Sequence, residues 1–271
     1  MKKVLWIGVV LLSVVYALPI FYTILNSFMT PAELAADGLH WIPQEFNLQQ
    51  YYTLITDKAA YFRYFLSSVK ITATILVGQI VLGICAAYAL AKLRFPGSDF
   101  VLILYILIIL LPYQVTLVPN YLVFEAFERT LNLTILDTHL ALILPGVFST
   151  FGIFLLRQFM RDLPKEIIEA AKIDGAGHLR ILTKVVLPLL KPAIFALVIL
   201  TFIDNWNIVD QALVFIDTPE NQPLSVFLRM IYEGDFDVFY AAATLFIIPA
   251  VIIFIKGEKY LSEGLVIGGS K

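Results

Sequence analysis

Long apolar stretches alternate with short polar segments along this chain. Six of the stretches reach or approach the ~20 residues that an α-helix needs to cross a lipid bilayer. They cover approximately residues 4–28, 65–91, 100–124, 136–159, 185–216 and 238–255. The first stretch is longer than the apolar core of a signal peptide, which spans about 7–15 residues. The pattern therefore predicts an all-α integral membrane protein with six transmembrane helices.

The composition agrees with a membrane protein and argues against several other classes. Of the 271 residues, 60% are hydrophobic and 15% are charged, and the mean hydropathy is +0.86. Soluble domains carry about 25% charged residues. The net charge of −2 argues against nucleic-acid binding. His40, His139 and His178 lack the spacing of metal ligands, and a single cysteine, Cys85, excludes an intramolecular disulfide.

The basic residues are distributed unevenly between the two ends of the predicted spans. The 19 lysine and arginine residues divide into 14 at one set of ends and 5 at the other. The larger group comprises Lys2, Lys3, Lys92, Arg94, Arg157, Arg161, Lys165, Lys172, Arg180, Lys184, Lys191, Lys256, Lys259 and Lys271, and the smaller group comprises Lys58, Arg63, Lys70, Arg129 and Arg229. The positive-inside rule places the larger group in the cytoplasm. Both termini and the loop between the fourth and fifth spans are therefore predicted to be cytoplasmic.

That loop, residues 162–192 and called the motif loop below, predicts a short amphipathic helix. Its apolar positions at helical spacing are Leu163, Ile167, Ala170 and Ala171. Asp162 is predicted to cap the helix, and Pro164 fits its first turn, where a missing N–H costs little. Asp174 and Gly175 should end it, because glycine tolerates the left-handed conformation that follows a last turn.

The motif loop also carries a spaced signature. It reads Glu169-Ala170-Ala171, three residues, Gly175, nine residues, Val185, one residue, Leu187-Pro188. This signature resembles the EAA loop of ABC importer permeases, in which isoleucine takes the place of Val185. The extended form LPKEIIEAAKIDGAG is similar to the carbohydrate-uptake, maltose-transporter-type branch of that family. The alternative is a helix that lies on the membrane surface or packs on its own chain.

The resemblance implies a type I ABC importer transmembrane fold in the bacterial cytoplasmic membrane. It assigns residues 65–256 to the transmembrane domain, 1–64 to a first helix with an extracytoplasmic loop, and 257–271 to a cytoplasmic tail. It also implies a coupling helix that docks on an ATPase through Glu169, Ala170, Ala171, Asp174 and Gly175. The implied partners are a homologous second permease, two ATP-binding cassette subunits and an extracytoplasmic sugar-binding protein, which the acidic segment 217–237 would meet.

The chain contains no GxxxxGK[ST] sequence with which to cradle nucleotide phosphates. If transport is driven by ATP, then ATP and Mg must bind to partner chains. We therefore expect this chain to have no catalytic activity and no cofactor of its own. Its role would be to carry a sugar inward by alternating access.

The fifth span contains the polar residues that are most costly in a membrane. They are Asp204, Asn205, Asn207, Asp210 and Gln211. In a continuous helix, Asp204, Asn207 and Gln211 would share one face. That face could line the translocation path, with Trp206 available to stack on a sugar, or it could pack against a partner helix. Pro188 and Pro192 are expected to bend the start of this span.

Two other functions stay open from the sequence alone. An ion-coupled secondary transporter would use intramembrane acids such as Asp204 and Asp210, although it also predicts an inverted repeat that we do not find in the sequence. A non-transporting membrane scaffold would not need polar residues inside the fifth span. Gln79 and Asn120, the other polar residues in spans, are expected to form hydrogen bonds between helices.

Overall fold

The computed structural model describes residues 2–36, 41–56, 60–93, 95–234 and 236–269, and these residues form helices and connecting turns without a β-strand. In chain order the helices are α1 Lys2–Asn26, α2 Pro31–Ala35, α3 Gln49–Thr56, α4 Ala60–Lys92, α5 Ser98–Ile109, α6 Tyr113–Leu131, α7 Leu140–Val147, α8 Thr150–Asp162, α9 Lys165–Ile173, α10 His178–Ile181, α11 Leu187–Leu189, α12 Lys191–Trp206, α13 Asp210–Phe215, α14 Leu224–Gly234 and α15 Phe239–Gly269. A π-helical turn, Leu182–Val186, separates α10 from α11. The prediction of an all-α protein is confirmed.

Within the described residues, four helical segments are long and apolar enough to cross a membrane as single spans. They are Leu5–Asn26, Ala60–Lys92, Leu140–Asp162 and Phe239–Tyr260. Two further segments are bent pairs, by 106° between α5 and α6 and by 75° between the α10–α11 segment and α12. By length and composition, this described part of the chain therefore contains four candidate spans, or up to six if each bent pair counts as one.

Proline explains where the two bent pairs break. Pro112 has an extended backbone immediately before α6 begins, and a residue that precedes proline is itself disfavoured in helical conformation. Pro188 and Pro192 flank the second bend, as the sequence predicts. The predicted third and fifth spans are thus the two that bend by more than 40° between their helices.

One compact unit of the chain consists of Met1–Phe65 and Leu224–Pro249. The buried side chain of Gln50 donates hydrogen bonds from Nε2 to the carbonyl oxygens of Asn26 (2.7 Å) and Met29 (2.9 Å). Its Oε1 accepts the N–H of Ala241 at 3.3 Å. Because the last carbonyls of a helix lack partners within that helix, Gln50 satisfies the end of α1 and ties it to α3 and α15.

The other compact unit consists of Leu66–Pro223 and Ala250–Lys271, and it contains the motif loop and the polar part of the fifth span. Its packed centre, called the core cluster below, is formed by buried side chains of α4, α8, the motif loop and α12. They are Ile84, Ala87, Tyr88, Ile153, Leu156, Met160, Ile168, Ile181, Leu182, Val186, Leu190, Ala193 and Leu197. The core cluster joins the motif loop to the ends of three membrane helices through dispersion contacts.

Within the same unit, α4 and α7 approach each other closely at two glycines. A Cβ atom added at Gly78 would lie 2.5 Å from Cγ2 and 2.8 Å from Cγ1 of Val147. One added at Gly146 would lie 2.6 Å from Cδ1 of Ile75. Small residues allow this approach, and Val147 cannot swing aside because both of its γ-carbons face Gly78.

We expect Gly78→Ala to lower the free energy of unfolding by roughly 1–3 kcal/mol, because the added methyl overpacks the contact with Val147. The matched control is Gly8→Ala in α1, where an added Cβ meets nothing within 4 Å. Thermal unfolding of the purified chain in detergent measures both changes. Equal midpoints for the two variants would contradict the close approach of α4 and α7.

Candidate functional site

The helix of the motif loop, α9, begins later than the sequence predicts. Asp162 is the last residue of α8 and does not cap α9, and Pro164 is the residue that precedes the first turn. The reason is that Leu163, held before a proline, has an extended backbone with φ −66° and ψ 133°. The two helices are therefore separated by an extended Leu163-Pro164 link, and the predicted cap is wrong.

The end of α9 agrees with the prediction. Gly175 has a left-handed backbone with φ +76°. Its N–H donates to the carbonyl oxygen of Lys172, and the N–H of Ala176 donates to that of Ala171, both at 3.0 Å. These two bonds form a Schellman motif, in which glycine after the helix end satisfies the last carbonyls. Gly175 thus turns the chain sharply out of α9.

The apolar side of α9 is rotated from the predicted one. Ile168 is buried at 7% exposure, and Leu163 and Ala171 pack against the core cluster. Ile167 and Ala170, which were expected to share that face, are exposed. Each lies one residue before an inward-facing position, and one residue corresponds to about 100° around a helix. The predicted face is therefore only half correct.

The outer surface of the motif loop exposes large apolar side chains among charged and small residues. Glu169, Asp174 and Gly175, three of the predicted coupling residues, are on this surface. Ile173 is 86% exposed and Leu179 is 74% exposed. Large apolar side chains at such exposure, on a loop backed by a packed core, indicate a contact surface.

Two polar contacts fix the motif loop to α4, and a widened turn shapes its second half. Lys92 Nζ at the end of α4 donates to the carbonyl oxygen of Leu163 at 3.1 Å. Leu163 follows the last residue of α8, and a positive charge is favourable at the C-terminus of a helix. Tyr88 Oη is 3.2 Å from Nδ1 of His178. The π-helical turn before Pro188 removes the clash that its ring would make in a regular helix. The loop is thus held by α4 near its start and near its middle.

The polar part of the fifth span lines a cavity of about 830 Å³. The described residues that line it are Gln79, Ile108, Leu111, Tyr113, Thr116, Asn120, Pro145, Gly146, Phe148, Ser149, Thr150, Phe151, Thr201, Asp204, Asn205, Asn207, Ile208, Val209, Asp210 and Gln211. They come from helices α4 to α8, α12 and α13. A cavity of this size is sufficient for a small ligand.

The predicted helical face does not exist as such, although its residues do come together. Helix α12 ends at Trp206, and Asn207 leaves helical geometry with φ −96° and ψ 14°. A new helix, α13, begins at Asp210. Asp204, Asn207 and Gln211 therefore lie on two helices and their junction, and all three line the cavity.

Trp206 is not on the cavity wall, contrary to the expectation that it would face the path. Its side chain is 1% exposed, and its ring stacks on Phe202 with centroids 5.1 Å apart and planes at 19°. Among the described residues, the aromatic side chains that line the cavity are Tyr113, Phe148 and Phe151. Any ring that meets a ligand in this conformation belongs to that group.

Hydrogen bonds between helices organise the cavity wall. Thr201 Oγ1 donates to Gln79 Oε1 at 2.9 Å, and Gln79 Nε2 donates to the carbonyl oxygen of Gly146 at 2.7 Å. The prediction that Gln79 bonds between helices is confirmed. Tyr113 Oη donates to Asp210 Oδ2 at 2.6 Å, which connects α6 to α13.

Sequence reasoning missed Tyr113 and Thr201. Tyr113 carried a usable signal, because it is the first residue after the break at Pro112, where a polar side chain can enter a cavity. Thr201 carried no usable signal, because a threonine in a membrane helix can form a hydrogen bond to the backbone of its own helix instead.

Outside the membrane helices, Asp137 organises the start of the acidic segment. Its Oδ1 accepts the N–H groups of Asp217 (3.0 Å) and Thr218 (2.6 Å), and its Oδ2 accepts the Thr218 hydroxyl at 2.5 Å. Asn221 Nδ2 donates to the Asp137 carbonyl oxygen at 2.7 Å. The hydroxyl and N–H donors of Thr218 lower the pKa of the Asp137 carboxyl from its ordinary value.

Comparison with known proteins adds the decisive observation. Residues 79–263, which include the motif loop and all of the described residues that line the cavity, match the family model described as binding-protein-dependent transport system inner membrane component. The chain belongs to this family. Members are permease subunits of ABC transporters, and ATP hydrolysis takes place on partner subunits. The match favours the permease over both alternatives that the sequence left open.

Relatives support the same family over the whole chain. The permease is 30% identical, over 98% of its length and 95% of the relative, to the arabinooligosaccharides transport system permease protein AraQ of Halalkalibacterium halodurans. It is 29% identical, over 93% of its length and 92% of the relative, to the sn-glycerol-3-phosphate transport system permease protein UgpE of Brucella abortus. The permease is thus a multi-pass protein of the plasma membrane.

A solved structure shares the fold. A chain from a bacterial ABC transporter involved in the import of the acidic polysaccharide alginate superposes with a TM-score of 0.83, at 23% identity, over 96% of both chains. A chain from the bacterial alginate ABC transporter in complex with a pentasaccharide-bound periplasmic protein superposes with a TM-score of 0.70, at 14% identity, over 94% of this permease and 93% of that chain. These likenesses concern the fold alone.

We expect Gly175→Ala to destabilise the permease by about 1–2 kcal/mol, because alanine is strained in the left-handed conformation. Space does not limit this position, since an added Cβ meets nothing within 4 Å. Gly177→Ala is the matched control, with equally open space and a φ of −72° that any residue adopts. Equal unfolding midpoints in detergent would contradict the role of Gly175 as a helix terminator.

We expect Asp137→Asn to destabilise the permease at neutral pH and to matter less in acid. Because the folded-state pKa of Asp137 is lowered, its carboxylate contributes stability above the ordinary carboxyl pKa of about 3.9, and this contribution is lost as the pH falls through the folded-state pKa. Unfolding midpoints of wild type and variant between pH 7 and pH ~3 should converge. A difference that is independent of pH would contradict this assignment.

Proposed function

We propose that this permease forms, with a homologous second permease, the membrane path of an importer for a carbohydrate. Two ATP-binding cassette subunits would bind on the cytoplasmic side, and an extracytoplasmic sugar-binding protein would deliver the solute. In this proposal each bent helix pair counts as one span, which gives six spans with both termini in the cytoplasm. The asymmetry of the 19 basic residues supports this orientation.

The observation that carries the coupling role is the exposed apolar surface of the motif loop. Ile173 and Leu179 are the most exposed large apolar side chains of this loop, and Glu169 and Asp174 add charges beside them. Such a surface suits a groove on an ATPase subunit. Ala170 is small enough to allow close approach, while Ala171 faces the core cluster and fixes the helix from behind.

The core cluster supplies the route by which a movement of α9 would reach the cavity. Ile168 of α9 and Leu197 of α12 belong to the same packed group. Helix α12 continues from Leu197 to Thr201 and Asp204, which line the cavity. Densely packed interiors resist compression, so a force on the loop displaces α12 instead of being absorbed.

The cavity is the proposed passage for the solute. Its wall offers the amide groups of Asn205, Asn207 and Gln211, the hydroxyl of Tyr113 and the rings of Phe148 and Phe151. Hydrogen-bonding groups beside aromatic faces suit a sugar, which has hydroxyl groups on its rim and C–H groups on its faces. Relatives that carry arabinooligosaccharides and sn-glycerol-3-phosphate leave the charge of the solute open.

The experiment is co-purification of the tagged permease from its own membranes. We expect wild type to retain an ATPase subunit and a second permease. Ile173→Asp and Glu169→Lys should lose the ATPase by at least tenfold, because each places a new charge in a desolvated contact, which costs on the order of 1.4 kcal/mol or more. The second permease should remain bound in both variants.

Glu125→Lys is the control for charge reversal, since Glu125 lies on α6 outside the motif loop and its exposed ion pair with Arg129 adds little stability. It should retain the ATPase. Wild-type permease that purifies without any ATPase, yet still transports sugar in vesicles, would overturn the proposed function.

A further inference from the structure

The wall of the cavity has one sign of charge. The described residues that line it include two carboxylates, Asp204 and Asp210, and no lysine, arginine or histidine. The other polar groups on the wall are neutral amides and hydroxyls. A cavity within a membrane protein that carries acids without a compensating base is negative inside.

The two carboxylates differ in how they are held. Asp210 accepts a hydrogen bond from Tyr113 at 2.6 Å, so one of its oxygens is already engaged. Asp204 is exposed on the wall, and none of the described residues forms a hydrogen bond or an ion pair with its carboxylate. Its neighbours Asn205 and Asn207 turn their amide nitrogens to the backbone carbonyls of Thr201 and Ile203 instead.

Asp204 also has a fixed position. It lies in the last turn of α12, three residues after Thr201, which is bonded to Gln79. Helix geometry and this bond hold the wall behind the carboxylate. An acid that faces a cavity, without a partner and on a rigid element, is placed to meet the solute.

We propose that Asp204 is a specificity-determining residue that excludes acidic solutes from this permease and favours uncharged sugars. This inference rests on the proposed function, because it names the class of solute for the same cavity. Hydroxyl groups of a neutral sugar can donate to the Asp204 carboxylate, whereas a phosphate or uronate group would meet like charge on the cavity wall.

Coulomb's law gives the expected size of this discrimination between acidic and neutral solutes. Two like charges several ångströms apart at an effective dielectric constant near 20 disfavour each other enough to change a binding constant by at least about tenfold. Salt weakens the effect only for charges that it can reach. A single acid on the wall of a confined path is therefore sufficient to select by charge.

The test is direct binding to the assembled permease–ATPase complex in lipid nanodiscs, without the binding protein, so that only the membrane path discriminates. The probes are a neutral trisaccharide and the uronic-acid trisaccharide of the same length and linkage, each titrated by ligand-observed NMR. We expect wild type to bind the neutral probe at least about tenfold more tightly. Asp204→Asn should reduce this ratio several-fold by strengthening the binding of the uronate probe.

Two further variants separate charge from shape. Asp204→Glu keeps the carboxylate and should keep most of the discrimination. Glu125→Gln removes a half-buried acid outside the cavity and should leave the ratio unchanged. The affinity of wild type for the uronate probe should also rise with ionic strength, while its affinity for the neutral probe should not.

The outcomes distinguish this inference from the function on which it rests. Equal affinity of wild type for both probes, or an unchanged ratio in Asp204→Asn, would overturn the role of Asp204 while the permease remains a sugar importer. Binding of neither probe by a complex that retains its ATPase would overturn the cavity as a sugar passage, and with it both proposals.

Discussion

The structure depends on the contact between the motif loop and the membrane helices behind it. Ile168 of α9 belongs to one buried cluster with residues of three membrane helices, namely Leu156 and Met160 of α8, Ala87 of α4 and Leu197 of α12. Without this cluster, α9 would be a nine-residue helix in water, shorter than isolated helices that are stable there. Packing from one side therefore creates the helix and leaves its other side free to bind a partner.

The same principle of close contact recurs deeper in the membrane. Lipid offers no hydrophobic driving force between helices, so their association needs close packing and hydrogen bonds. Close packing occurs at the Gly78–Val147 contact. The hydrogen bonds are those of the Gln79 side chain, which bonds to Thr201 and to Gly146. Gln79, Gly146 and Thr201 line the cavity, so the hydrogen-bonded group is part of its wall. The polar passage is thus built from the same interactions that hold the helices together.

Much of this could be predicted from the sequence, for local reasons. Apolar runs indicated the helices, the Asp174-Gly175 pair indicated the end of α9, and the polar cluster after Asp204 indicated the residues that now line the cavity. The failures come from tertiary contacts. Which side of α9 faces inward depended on the position of the core cluster. Trp206 is 1% exposed because the surrounding chain covers it, and its ring stacks on Phe202 one turn earlier in α12. The periodicity of apolar residues does not predict which distant residues will pack against a helix. It also does not predict that a helix will end inside an apolar run.

The central claim is that the motif loop and the cavity wall move as one body. The most direct measurement is the distance between spin labels at Lys165 of α9 and Leu200 of α12, both exposed and both outside the proposed ATPase contact, in a Cys85→Ala background of the assembled importer. The account predicts that this distance changes by less than about 2 Å when ATP is added, while transport proceeds. A larger change would show that the loop moves independently of α12 and would contradict the account.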